Sequence, residues 1–257
     1  MLCIVFVPGT AFGYTCVINC AMITPAPIPR IFPALMLTAI LSSCAMAVDP
    51  VQSEISVKPF TEVLVEGPFR IRLVQDDACR LRIEGQERSV EALEIDSREG
   101  KLSVRFREKS FRLKDYKIDL VIYFRNLEEL EIRGPVELRC ERPIRAGNIK
   151  FVFEGAGDVV LDLEAAKIIS EINGVGSFRL KGQTDYHKVS FSGVGSYDAS
   201  MLTSNYTLVE SNGVGSVKVH AADKFIGRAN GVGSVDFYGE PESTEISASG
   251  LGKINRR

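Results

Sequence analysis

Two columns of polar side chains recur at a nearly constant interval in the second half of the chain. One column alternates in charge and the other consists of asparagine; the members are Arg179, Asp198, Lys218 and Asp236 in the first and Asn173, Asn212 and Asn230 in the second. Opposite charges on neighbouring strands pair with one another, and stacked asparagines hydrogen-bond along their stack. We therefore expect ladders that hold strands together rather than a metal site, with a surface for ligand contact as the alternative.

Residues that perform catalysis are scarce in this sequence. It contains no tryptophan and only two histidines, His187 and His220. The acidic residues alternate with basic ones instead of clustering as a hydrolase requires. We predict that the protein is not an enzyme, and no catalytic, cofactor-binding or metal-binding residue is assigned. A polysaccharide lyase or hydrolase is the alternative, because such chemistry needs only carboxylates and an arginine that converge in one groove.

The elements that position the two columns follow from a glycine repeat. Six pairs of glycines, each separated by one residue, begin at Gly155, Gly174, Gly193, Gly213, Gly231 and Gly250, at intervals of 18 to 20 residues. A period of this length is typical of a solenoid, in which each coil buries its apolar side against the next. The sequence predicts an all-β fold, a parallel β-helix-like solenoid with coils of about 19 residues.

Apolar and polar residues alternate after each glycine pair, which predicts a strand with one buried face. The inward positions are Val159, Phe178, Tyr197, Val217, Val235 and Ile254. A second strand precedes each pair, and glycine allows the chain to turn sharply between the two. The residue between the glycines is Ala156, Val175, Val194, Val214, Val232 or Leu251, and we expect it to point into the core.

The region before the repeats is also predicted to be β structure. Its strand signals cover Val63–Val65, Phe69–Val74, Leu81–Glu84, Leu102–Phe106, Ile118–Phe124 and Leu130–Ile132. A short helix is expected around residues 89–95, and Gly134 indicates that the coil rhythm begins before Gly155. The basic run at residues 105–117 is interpreted as a solvated hairpin. The alternative is that it docks an anionic glycan or lipid head group. We place the N-terminal β region at 48–147 and the repeat solenoid at 148–257.

The N-terminal segment has the character of an export signal. Residues 1–48 carry a single charge, Arg30, which precedes an apolar stretch at 31–41. The sequence Leu41-Ser42-Ser43-Cys44 resembles a bacterial lipobox, so we predict lipidation at Cys44, with ordinary cleavage after Ala47 as the alternative. Residues 1–47 are thus a leader, and 1–21 are interpreted as an upstream extension before a start at Met22. Cys79 and Cys140 would remain as two thiols, either paired or free.

The overall charge argues against one class of partner. The formal net charge is −2 at pH 7, whereas nucleic-acid-binding proteins carry a basic excess on one face. We therefore expect no nucleic acid as a partner.

Three segments together resemble the bacterial head GIN domain family of auto-transporter adhesin domains. They are Val65-Glu66-Gly67-Pro68-Phe69-Arg70-Ile71, the stretch from Phe124 to Gly134, and the Asn-Gly-Val-Gly-Ser repeats. The resemblance runs from about residue 53 to the end. It implies a β-solenoid, export to the cell envelope, frequent lipid anchoring and an adhesin-like role, and it carries no binding residues with it.

Three functions follow as expectations. The leading one is a non-enzymatic envelope protein, periplasmic or at the outer membrane or cell surface, that binds polysaccharide or protein along a ridged β surface. The second is the β-helix polysaccharide enzyme, which requires at least three carboxylates and an arginine in one groove. The third is an envelope-stress or scaffold module with a protein partner, which an exposed apolar patch of several hundred Å² would favour.

Overall fold

A computed structural model describes residues 50–107 and 118–257, which lie in one compact unit, Ala47–Arg257. The predicted leader at 1–47, with Cys44, lies outside the described residues, as does most of the basic run, at 108–117. The described residues form sixteen strands and one helix: β1 (Val51–Ser56), β2 (Glu62–Glu66), β3 (Phe69–Gln75), β4 (Arg80–Gly85), α1 (Glu87–Glu91), β5 (Leu93–Arg98), β6 (Lys101–Phe106), β7 (Ile118–Phe124), β8 (Glu129–Cys140), β9 (Ile144–Ile172), β10 (Val175–Phe191), β11 (Val194–Ser211), β12 (Val214–His220), β13 (Lys224–Ala229), β14 (Val232–Tyr238), β15 (Ser243–Ala248) and β16 (Leu251–Arg256).

The strands from β8 onward stack as a parallel β-solenoid of about six turns, with coils about 20 residues apart. Each coil pairs in register with the next, so Val175 lies beside Val194 and Val194 beside Val214. The predicted fold is confirmed. Gly134 pairs with Gly155, so the coil rhythm does begin before the explicit repeats. β9 runs without a break through residue 147, and the sheet is continuous there.

The N-terminal end of the sheet is built differently, with antiparallel pairs at its margin. β1 pairs with β4, β4 with β7, and β5 with β6, all antiparallel, while β2 and β3 join β8 in parallel. All six predicted strands of this region are present. The helix lies at Glu87–Glu91, and Leu93 already begins β5, because the apolar Leu93 and Ile95 pack against the core as a strand.

One continuous apolar core runs through the coils. The predicted inward column is buried from Val159 to Val235, and Ile254 in the last coil is half-buried. Aromatic rings of successive coils contact one another, with ring centroids 4.8 Å apart for Phe153 and Phe178. Aromatic contacts of this geometry add to the stabilisation that burial of their area provides.

The expectation that the residue between the glycines points into the core is wrong. Val175 is 55% exposed, and Val194, Val214 and Val232 are 49–50% exposed. The reason is that the alternation of inward and outward residues continues unbroken through the glycine pair. Counting back from the buried Phe178, Ser177 faces outward, Gly176 inward and Val175 outward.

The glycines are required because successive coils touch there through their backbones. A Cβ placed on Gly195 would overlap the carbonyl oxygen of Gly176, and the φ of Gly195 is +135°, a conformation that side chains disfavour. A Cβ on Gly193 would likewise overlap the carbonyl oxygen of Gly174. We call the turn that contains the glycine pairs the glycine corner.

Candidate binding surfaces

Five exposed aliphatic side chains form a straight row along the glycine corner. The row, which we call the corner ridge, consists of Val175, Val194, Val214, Val232 and Leu251. Leu251 is the most exposed of them, at 74%. Parallel register places equivalent residues about 4.8 Å apart, so the ridge is a regular apolar line. Exposed Ala156 and Pro135 continue the same row towards the N-terminal coils.

The surroundings of the ridge are uncharged over four coils. On one side stand Asn173, Ser192, Asn212 and Asn230, and on the other stand Ser177, Ser196, Ser216 and Ser234. Charged side chains return beyond these columns and in the end coils, for example at Lys253. An apolar centre depleted of charge within a polar rim is the composition of protein–protein interfaces.

The predicted asparagine column forms part of a hydrogen-bond ladder. The Nδ2 of Asn230 donates to the Oδ1 of Asn212 over 3.0 Å, and the Oγ of Ser249 donates to the Oδ1 of Asn230 over 2.8 Å. Asn173 lies in the same column two coils before Asn212, and its backbone N–H donates to the carbonyl of Phe153. The side-chain amides of Asn212 and Asn230 are therefore held by their neighbours.

The residues of the predicted charge column stack in register, but they differ in exposure and in the partners that they contact. The Nζ of Lys218 lies 3.9 Å from a carboxylate oxygen of Asp198, a weak exposed ion pair. Arg179 is exposed beside Asp198 in the register. Asp236 is buried and accepts hydrogen bonds from the side chains of Asn255 (2.9 Å) and Arg257 (3.2 Å). This column thus joins the last two coils to each other more than it presents a free charged surface.

A polar groove lies at the opposite turn of the coils, which we call the opposite corner. Its volume is about 750 Å³, and it is lined by small residues, Ala146, Gly147, Ala165 and Ala166, and by the larger polar side chains Asn126, Arg145, Glu164, Gln183, Thr184, Asp185, Thr203 and Asn205. Because these four residues are small, they leave an open volume, and the polar side chains surround it. Amide, hydroxyl and carboxylate groups on such a surface can hydrogen-bond to sugar hydroxyls.

The charged side chains in the groove already have hydrogen-bond partners. The Nε of Arg145 donates to Glu164 over 2.8 Å, and this hydrogen bond raises the pKa of Arg145. The Nδ2 of Asn205 donates to Asp185 over 3.2 Å. Among the described residues, two carboxylates line this groove, those of Glu164 and Asp185. The arrangement falls short of the three carboxylates and an arginine that a polysaccharide-cleaving site requires.

Aromatic rings beside the groove are covered on both faces. Tyr186 and Tyr206 stack with ring centroids 5.1 Å apart. Lys167 lies 5.4 Å from the outer face of Tyr186, and Lys224 lies 5.7 Å from that of Tyr206. The pair is a cation–π stack along the coils, so it leaves no open ring face for a sugar.

A polar network lies inside the solenoid, and the sequence patterns did not predict it. The buried hydroxyl of Tyr197 donates to the Oγ of Ser170 over 2.9 Å and lies 2.9 Å from the Nε2 of His187. The Tyr197 oxygen then accepts from Nε2–H, which leaves the Nδ1 of His187 without a partner among the described residues. Burial lowers the pKa of His187 to about 3, so the ring is neutral.

Groups of three or more metal-ligating side chains do not occur within residues 50–107 and 118–257.

Cys79 and Cys140 are free thiols, and the Sγ of Cys140 accepts the backbone N–H of Asp162 over 3.0 Å. In the same two ranges, no helix has the length and apolar composition that a membrane span requires.

Residues 59–241 match the model of a protein family described as "Putative auto-transporter adhesin, head GIN domain". The chain belongs to this family. The match covers the N-terminal strands from β2 onward and the glycine corner as far as the coil that contains Val232, so the resemblance read from the sequence is confirmed. No curated protein matches the sequence.

Solved structures show the same fold at low sequence identity. A "putative adhesin" from Bacteroides fragilis NCTC 9343 superimposes with a TM-score of 0.75 at 22% identity, covering 81% of this chain and 97% of that one. A "putative lipid binding protein" from Parabacteroides distasonis ATCC 8503 gives 0.61 at 19% identity, with the same two coverages. A "putative adhesin" from the same organism gives 0.58 at 18% identity, covering 82% and 98%. These likenesses establish the fold.

Proposed function

We propose that the protein is a non-enzymatic, adhesin-like binding module of the cell envelope that engages a protein partner through the corner ridge. The observation that carries the proposal is the row of aliphatic side chains held outward at constant spacing. Contiguous apolar patches on the surface of a soluble protein mark interaction sites. Membership of an adhesin family and the adhesin names of its structural neighbours support the same role.

The ridge suits a protein partner because of its rigidity. Each valine sits between two glycines whose backbones pack directly on the neighbouring coils, so little conformational entropy is lost when the ridge is covered. β-branched valine also has one dominant rotamer, which keeps its two methyl groups in place. A preorganised apolar line with hydrogen-bonding groups on both sides is the anatomy of an interface core.

Photocrosslinking in living cells tests this role directly. A benzophenone amino acid replaces Val194 on the ridge or, as a matched control, Met201, which is 73% exposed away from the glycine corner. We expect a discrete, protease-sensitive adduct at position 194 and not at 201. Substituting Val175 and Val214 by threonine, which preserves shape but adds a hydroxyl, should abolish the adduct. Identical adducts at both positions, or none at 194, would refute the role of the ridge.

A glycan is the second candidate ligand, and the groove at the opposite corner is the observation that favours it. Its exposed amide and hydroxyl groups match sugar hydroxyls, although the stacked tyrosines beside it offer no free face. A glycan array measures this candidate. Binding that is lost in Gln183→Ala/Asn205→Ala and retained in Val175→Thr/Val214→Thr would locate sugar recognition in the groove, and an array without signal would eliminate it.

Export and lipid anchoring belong to the same proposal. The lipobox-like sequence that ends at Cys44 supports a lipoprotein of the outer membrane or cell surface, with secretion into the periplasm as the alternative. Metabolic labelling with a fatty-acid analogue distinguishes the two. We expect label in the wild-type protein and none in Cys44→Ala, whereas an unlabelled wild-type protein with an N-terminus at Val48 would indicate ordinary cleavage.

A further inference from the structure

In the C-terminal coil of the described residues, two strands are each paired along one edge. Within the described residues, β15 pairs with β13 alone and β16 pairs with β14 alone. All six residues of β15 are exposed. Ile246 takes the inward position that Gly227 takes in the coil before it, yet it is 51% exposed, whereas Val209, two coils before Ile246, is fully buried. Free backbone groups and an uncovered apolar side chain together form a surface that can accept another strand.

The two free strands carry opposite charge. β15 contains Glu245 and follows Glu242, while β16 contains Lys253 and Arg256. The chain enters the glycine corner along β15 and leaves it along β16, so the strands run in opposite directions relative to that corner. An acidic strand entering the corner and a basic strand leaving it are complementary to the same two strands of a second copy.

We propose that this end of the solenoid is a homodimer interface in which β15 of each copy pairs antiparallel with β16 of the other. A two-fold axis parallel to the strands generates both pairings at once, which makes the contact isologous and closed. The alternative two-fold, which pairs β15 with β15 and β16 with β16, brings like charges together and is disfavoured. The charge distribution thus selects one arrangement.

One register of this pairing brings opposite charges together on the outward face and apolar side chains together on the inward face. With Glu245 opposite Lys253 of the second copy, the outward side chains of the two strands face the same side of the sheet, as antiparallel pairing requires. Ile246 then lies opposite Gly252 and diagonal to Ile254, so the inward apolar residues of the two end coils cover each other. Lys224, which lies 2.9 Å from Glu245, adds a second cation to the pair.

This arrangement has a consequence for the proposed function, although it does not depend on it. The axis places glycine corner against glycine corner, so the corner ridges of the two copies continue one another. A partner would then meet a ridge of twice the length, and two binding sites joined rigidly gain avidity over one.

Sedimentation velocity with charge-reversed variants tests the interface. The protein is produced from its full sequence and purified in the form that the cell makes. We expect a wild-type dimer in the micromolar range. Glu245→Lys and Lys253→Glu should each weaken it about tenfold or more, since each places two like-charged pairs in the dimer. The double variant Glu245→Lys/Lys253→Glu should restore the dimer.

Lys58→Glu serves as the control, because Lys58 is exposed near the N-terminal strands, away from the last coil. It should leave the dimer intact. A wild-type monomer throughout the micromolar range, single reversals without effect, or a double variant that stays monomeric would overturn the proposal. None of these results bears on the crosslink at Val194, so the two proposals fail separately.

Discussion

The two corners of each coil differ in the space that they leave for side chains. At the glycine corner, backbone touches backbone, and the same residue type recurs in almost every coil. At the opposite corner the coils are also paired through their backbones, but side chains fit there, and equivalent positions vary, as in Ala166, Asp185, Asn205 and Asp223. Repetition is strict where no side chain fits and relaxed where side chains can adjust to one another. The strict corner consequently presents a uniform ridge, and the relaxed corner presents a groove of mixed chemistry.

Alanine substitution at one glycine of each corner should give the largest contrast. In Gly195→Ala, the new Cβ overlaps the Gly176 carbonyl and the backbone is strained, so we expect a loss of about 4 kcal/mol or more in unfolding free energy. In Gly147→Ala at the groove, nothing lies within 4 Å of the added methyl group. We expect its stability to be unchanged or slightly higher. Urea unfolding of both variants measures the contrast, and equal losses would contradict it.

The next effect is a pH dependence that arises inside the coils. The pKa of His187 is about 3 in the folded state and about 6.5 when unfolded. Between pH 3 and pH 6.5 the unfolded chain therefore binds one more proton at His187 than the folded protein does. The contribution of the neutral ring to the unfolding free energy is fully present above pH 6.5 and is lost as the pH falls below it. The expected loss at pH 4 is about 3 kcal/mol.

The measurement is the unfolding free energy of wild type minus that of His187→Asn, from pH 7 to pH 4. Carboxylates common to both proteins cancel in this difference, so it isolates the histidine. We expect the difference to shrink as the pH falls. A difference that stays constant across the range would show that His187 is not a buried neutral ring.

Removing a single hydroxyl group should have a smaller effect. Tyr197→Phe leaves Ser170 and the Nε2 of His187 without their partner in the core, which costs about 1–3 kcal/mol. Tyr186→Phe, on the half-exposed stack at the opposite corner, is the matched control and should change stability by less than about 0.5 kcal/mol. Similar losses in the two variants would mean that the buried network contributes nothing specific.

The smallest effect is expected for the charge column. Lys218→Ala removes an exposed ion pair of 3.9 Å and should change stability by at most about 0.5 kcal/mol. Asp236→Ala is the variant to compare with it, because the buried carboxylate of Asp236 accepts hydrogen bonds from Asn255 and Arg257 of the last coil. We expect the second substitution to destabilise more than the first in thermal unfolding, and the reverse order would contradict the assignment.

The glycine period and the alternation after it were sufficient to predict the solenoid and its buried face. The same alternation, extended back through the glycines, also places Val175 outside. The expectation that Val175 points inward is wrong because it rests on the aliphatic character of the residue and not on its position in the alternation. Apolar character predicts burial only on average, and position within the period decides the face.

Other features depend on proximity between coils that no local pattern encodes. The groove brings together Arg145, Glu164 and Asn205 from three different coils, and its depth comes from small residues such as Ala165. The hydrogen bonds of Tyr197 likewise join it to His187 across its own coil and to Ser170 of the coil before. The repeat register predicts such neighbours once it is known, but the side-chain orientations that bring them into contact require the three-dimensional structure.

A distance between spin labels along the ridge tests the stacking most directly. Labels on Ala156→Cys and Leu251→Cys, in a background without Cys79 and Cys140, lie five coils apart. Parallel stacking at about 4.8 Å per coil predicts a narrow distribution of label-to-label distances at about 24 Å, with both labels mobile because they face solvent. A much shorter or broad distance, or immobilised labels buried in the core, would contradict the solenoid and its outward ridge.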